Sequence, residues 1–145
     1  MAAVVCQITY SGKGFTNESD VVSHLVYSFQ HANIWHLLCN LLVLWLIRNK
    51  IDIAPAYCIA FAASYLPMFV VAPTLGLSGL LFAIFGIMWG KTGKAMSALK
   101  AGMPTIVITF FLPQVNGLLH LYCYAAGIAY GLLCLSASKI ANGVR

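Results

Sequence analysis

The sequence is poor in charge. Of its 145 residues, 8% are Asp, Glu, Lys or Arg and 61% are hydrophobic, whereas an ordinary soluble domain carries roughly 25% charged residues. A water-surrounded domain is thereby excluded. Carboxylates are scarcest: only Glu18, Asp20 and Asp52 occur, none inside an apolar run. A membrane aspartyl protease needs two intramembrane Asp, and a proton-coupled transporter normally carries a membrane carboxylate, so both are disfavoured. No HExxH is present, which removes the membrane zinc proteases. Cys6, Cys39, Cys58, Cys123 and Cys134 form no CxxC and no paired spacing. Four of them lie in apolar runs, so they read as small packing residues rather than a disulfide framework. The opening "MAAVVCQITY" has no basic region and no long apolar core, and does not read as a signal peptide. No internal repeat or low-complexity linker is visible.

What is present is long apolar runs without alternation, which point to a bilayer as solvent. Five segments are expected at 33–47, 53–72, 78–90, 103–113 and 118–138, and residues 1–10 read as the tail of another. "SGKGFTNESD" is a polar loop. Arg48, Lys50, Lys91, Lys94, Lys100, Lys139 and Arg145 fall on one face if each segment crosses once, with only Lys13 on the other. That asymmetry sets the C-terminus in the cytoplasm and faces the Ser78 loop and "PQVNG" outward. Cations scattered over short loops argue against nucleic-acid binding despite the net charge of +5.

Polar side chains in hydrocarbon are expensive and usually functional. Here they are His36, Asn40, Ser78 and His120, with His31 just above. The segments starting near 33, 78 and 118 all run inward from the outer face, so these residues share a depth. The segment after Ser78, about 20 Å long at 1.5 Å per residue, is too short to span. The loop before it therefore dips into the membrane. Gly79, Ala83, Gly86 and Gly90 form one stripe of small residues. His120, Cys123, Gly127 and Gly131 form another. If the stripes face each other, Ser78 meets His120. A serine beside a histidine is a minimal activated nucleophile. No carboxylate lies at this depth, so the expectation is a dyad, with His120 oriented by packing on Phe82. His36, Asn40 and the Ser78 N–H are the expected oxyanion donors.

Each residue also has a plainer reading. Ser78 between Gly76 and Gly79 fits a helix cap, His120 an interfacial histidine, and His36 and Asn40 interhelical hydrogen bonds. Phe82 fits simple core packing. His24, His31 and His36, spaced seven and five apart, share no helix face and make a poor metal set.

"HANIWHLLCN", "GLSG" and "HLYCYAAGIAYG" resemble the rhomboid family of intramembrane serine proteases. The family's His and Asn four apart, with a further His five residues earlier, match His36, Asn40 and His31. Its GxSG matches Gly76 to Gly79, and its base matches His120 ahead of Gly127 and Gly131. The resemblance implies an all-α, polytopic transmembrane helical bundle. The chain, 1–145, would be one such domain, lacking most of the first of six helices. It also implies an intramembrane serine endopeptidase that cleaves single-span membrane protein substrates near the outer face, with no metal and no cofactor. A bacterial inner membrane is the expected location. The chain departs from the pattern at Tyr122 and Cys123, which stand where glycines are common, so Tyr122 has to point away from the contact. Pro104 falls in the helix beside the family's substrate entrance. Two rival readings stay open: an inactive relative that binds membrane segments, and a small channel or transporter subunit.

Overall fold

Several helices start where a side-chain oxygen is available to a free backbone N–H. Asp20 accepts from Ser23 N, Asn33 from His36 N and Asn116 from Leu119 N, each relieving one of the orphan donors of a first helical turn. The computed structural model describes residues 13–48, 52–67, 73–112 and 115–143. Among these the chain is helical: α1 (Val21–Val26), a 3₁₀ turn (Tyr27–Phe29), α2 (Ile34–Ile47), α3 (Ile53–Ala63), α4 (Ser78–Gly90), α5 (Ala95–Phe111) and α6 (Gly117–Ala141). One antiparallel bridge joins Phe15 to Thr74.

α4 is the central helix. Its Gly79, Leu80, Leu81, Ala83, Ile84, Gly86, Ile87 and Gly90 are all buried, as expected of a helix apolar on every side. α3 packs on it through buried Ala56, Ala60 and Ala63. α6 packs on it backbone to backbone. A Cβ on Gly86 would stand 2.9 Å from Gly127 Cα, and one on Gly90 would stand 2.9 Å from Gly131 Cα. No side chain heavier than hydrogen fits either crossing, so the two stripes of small residues do face each other. Cys123 lies buried in this contact. Tyr122 points away and donates its hydroxyl to Pro67 O at 3.1 Å.

α2 and α5 are peripheral and turn apolar side chains outward: Trp35, Leu42 and Trp45 on one, Val107, Ile108 and Phe111 on the other. Contiguous exposed apolar surface of this kind belongs against lipid or a partner. By length and composition, α6 alone is a complete membrane-crossing helix among the described residues. The pair from α1 to α2 qualifies only as a span bent by 76°. α3, α4 and α5 are apolar but have 11, 13 and 17 residues. Five full spans are therefore more than these helices supply by themselves.

Three boundaries differ from expectation. α3 stops at Ala63 rather than running to 72, because Ser64 to Leu66 turn ahead of Pro67, and a residue before proline avoids helical backbone; residues 68–72 lie outside the described residues. α5 begins at Ala95, eight residues before the expected 103, so Lys100 is helical and Pro104 lies inside the helix. α1 follows the expected polar loop, starting directly after Asp20, where no helix was expected. The reading of residues 1–10 as a helix remnant lies outside the described residues.

Candidate active site

The loop ahead of α4 is held from four directions. Phe15 N donates to Thr74 O and Thr74 N to Phe15 O, each at 2.8 Å. Gly76 N donates to Tyr27 O at 2.9 Å. Leu77 N points at His31 Nε2 at 3.4 Å. Asn116 Nδ2 donates to Thr74 Oγ1 at 2.9 Å, while its Oδ1 caps α6. Gly76 adopts φ +119°, and a Cβ there would run into the His36 ring, so glycine is required on both counts. Behind this frame Gln30 Oε1 accepts from Gly14 N at 2.6 Å, and Tyr27 Oη donates to Ala60 O at 3.0 Å.

Ser78 is thereby fixed as the first residue of α4. Its own N–H and that of Gly79 have no acceptor within the helix, since the first four amides of any helix lack one. His120 lies in the first turn of α6, and its Nε2 is 2.8 Å from Ser78 Oγ. The imidazole is 4% exposed. Its Nδ1 has no hydrogen-bond partner among the described residues, so no third group orients it from that side. Phe82, one turn after Ser78, stacks on it with centroids 4.4 Å and planes 23° apart. Tyr124 meets Phe82 edge-on at 6.4 Å and anchors itself by donating to Ala98 O of α5 at 2.6 Å.

α2 and the turn before it supply the other polar groups. The rings of His31 and His36 meet edge-on at 5.1 Å, and His36 borders Gly76, two residues before the serine. Asn40 lies one turn further along the same face, 7% exposed, and its Nδ2 has no partner among the described residues. An unpaired buried amide costs free energy. The structure thus joins Ser78, His120 and Phe82 in one contact set and His31, His36 and Gly76 in another. Gly79 packs beside Leu119, Tyr27 and Cys123. Gly127 and Gly131 lie two and three turns from His120 and close the helix contact rather than line the site. Phe15, Tyr27, Gln30, Thr74 and Asn116 were not singled out from sequence. Of these only Asn116 carries a local signal, an Asn directly before an apolar run.

A second serine–histidine pair exists. His24 Nδ1 is 2.8 Å from Ser64 Oγ, but Ser64 Oγ also donates to Phe61 O at 2.6 Å. A hydroxyl has one proton, so His24 is the donor here and Ser64 is not activated. Ser64 also ends a helix, where carbonyls rather than amides are exposed. No three His, Cys, Asp or Glu side chains among the described residues are close enough to share a metal.

The chain is 26% identical, over 134 aligned residues, to a protein of Acanthamoeba polyphaga mimivirus whose provisional name is that of a rhomboid protein; the match covers 82% of this chain and 78% of that protein. No family model matches the chain, and no solved structure matches it significantly. At this identity the chain is rhomboid-like over most of its length, and activity has to be argued from its residues.

Proposed function

We propose that the protein is an intramembrane serine endopeptidase of the rhomboid type, cutting membrane-segment substrates with a Ser78–His120 dyad. The observation that carries the reading is the 2.8 Å approach of His120 Nε2 to Ser78 Oγ at the amino end of a buried helix. A hydroxyl that donates to an imidazole is poised for attack. Free amides of α4 lie beside it, and the buried Nδ2 of Asn40 and the His36 ring lie on the neighbouring helix.

In this reading the chain crosses the membrane several times, and the dyad opens toward the face opposite the lysines. A single-span substrate enters sideways from lipid and unwinds, because a carbonyl paired within a helix is shielded. Ser78 Oγ attacks it while His120 Nε2 takes the proton. The oxyanion is met by Asn40, His36 and the Ser78 N–H. His120 then returns the proton to the leaving amine, which frees one product and leaves an acyl-serine. Water, deprotonated by the same imidazole, releases the second product and restores Ser78.

The test is labelling of the detergent-solubilised full chain with a fluorophosphonate probe. Wild type and Ser64→Ala are expected to label; Ser78→Ala and His120→Ala are not. Labelling that survives Ser78→Ala would remove the dyad. A folded wild type that does not label would favour a relative that binds membrane segments without cutting them.

A further inference from the structure

A cavity of about 190 Å³ lies between α4, α5 and α6, bounded at one end by Phe82, the ring that stacks on His120. Phe82, Phe85 and Trp89 of α4, Ala101 and Thr105 of α5, and Tyr124 of α6 line it. The Tyr124 hydroxyl is committed to Ala98 O, so that wall presents only a ring. Apolar cavities of roughly 150 Å³ stay dry and accept benzene-sized molecules. This one is large enough for a stretch of hydrocarbon chain. It is open on the α5 side, where Ala101 and Thr105 are exposed, and α5 turns Leu99, Met103, Val107 and Ile108 outward.

The cavity runs from the dyad toward the lysine-rich end. Trp89 is eleven residues beyond Ser78, about 16 Å along the helix axis. A peptide bound at Ser78 would not naturally reach that end. Charge supplies the other half of the argument. Lys94 is the residue directly before α5, four positions ahead of the buried Ala98. It precedes Ala101 by seven residues, about 10 Å of axial rise. Lys100 is exposed and directly precedes Ala101 of the mouth. Lys91 is paired with Asp52, but neither Lys94 nor Lys100 has a carboxylate partner among the described residues. Lys94 also stands at the amino end of a 17-residue helix, where a negative group is favoured.

We infer that this cavity and the two lysines form a binding site for an anionic phospholipid, with its phosphate at Lys94 and Lys100 and one acyl chain between α4, α5 and α6. The inference rests on the membrane-embedded part of the proposed function and not on the protease chemistry.

Trp89 reports occupancy directly. In a Trp35→Phe, Trp45→Phe background it is the sole tryptophan. The full chain is reconstituted in phosphatidylcholine vesicles, with brominated acyl chains carried either by phosphatidylglycerol or by phosphatidylcholine. The anionic lipid is expected to quench Trp89 at a mole fraction lower by on the order of tenfold, the scale expected of two lysines at an anionic surface. Lys94→Gln with Lys100→Gln should abolish that preference. Thr105→Phe and, separately, Ala101→Phe, both at exposed positions of the mouth, should abolish it with the lysines intact. Equal quenching by the two lipids overturns the site. A preference that persists in both plugged variants overturns it too, since the lysines would then hold a headgroup without the cavity. If neither brominated lipid quenches Trp89, the membrane-embedded reading itself has failed.

Discussion

Phe82 and His120 stack face to face, 4.4 Å between centroids, on two different helices. With His120 Nδ1 unpartnered among the described residues, this contact is the main restraint on the plane of the ring, and through it on the lone pair aimed at Ser78. Aromatic pairs contribute about 0.5–1.5 kcal/mol beyond their buried area. Phe82→Ala should therefore lower the probe-labelling rate by roughly two- to tenfold from geometry alone. Phe82→Tyr should keep most of it. Both are read as labelling rates against pH, since a ring that is only loosened changes the rate without removing the dependence on a neutral imidazole.

Asn40 contributes differently. Its buried Nδ2 has no partner among the described residues, so removing it should leave probe-free folding nearly intact, or improve it, because an unsatisfied amide disappears. Turnover of a membrane-segment substrate should fall by on the order of 10²–10³, as for other lost oxyanion donors. A drop in thermal stability with no loss of turnover would assign Asn40 to helix packing instead.

Gly86 and Gly127 allow no Cβ. Gly86→Val forces α4 and α6 apart where their backbones touch, and overpacking of this kind costs about 1–3 kcal/mol. The expected result is a lower unfolding midpoint in detergent together with loss of labelling at Ser78. Gly143, with no atom within 4 Å of its would-be Cβ, has no such packing role, though its φ of +67° keeps any replacement mildly strained.

Asp20, at the start of α1, gives a pH-dependent prediction. Its carboxylate accepts from Ser23 N at 2.8 Å, and that bond holds its pKa below the ordinary 3.8. A depressed folded-state pKa gives a contribution that is fully present above the unfolded value and lost as pH falls through the folded one. Asp20→Ala should be less stable than wild type at neutral pH. The two should converge as pH falls through the lowered folded-state pKa, where the cap is protonated. Thermal midpoints measured across that range check it.

Much of this arrangement was legible in the sequence, for physical reasons. α4 begins and ends at the residues expected, because Gly76 turns the chain just ahead of it and a run of unbroken apolar residues carries it to Gly90. The facing of Gly86 and Gly90 on Gly127 and Gly131 followed from helical spacing, and with it the meeting of Ser78 and His120. α5 was read too short because lysines were taken to mark a loop. Lysine is a good helix former that keeps its charge at the surface while its stem lies along apolar neighbours. α3 was read too long because apolar composition continues past the turn at Ser64. The tethers of the Ser78 loop, Thr74 to Asn116 and Gly76 to Tyr27, join residues 42 and 49 positions apart. No local periodicity encodes such pairs.

The glycine crossings between α4 and α6 also act as a fulcrum. Gly86 is eight residues from Ser78, an arm of about 12 Å. A tilt of about 5° at the crossing would carry the serine about 1 Å sideways over that arm. A displacement of that size breaks a hydrogen bond of 2.8 Å and on its own can lower a rate by about 10². The positions that decide whether Ser78 meets His120 are thus small, featureless residues two turns away. Damage there would part Ser78 from His120 well before the protein unfolds.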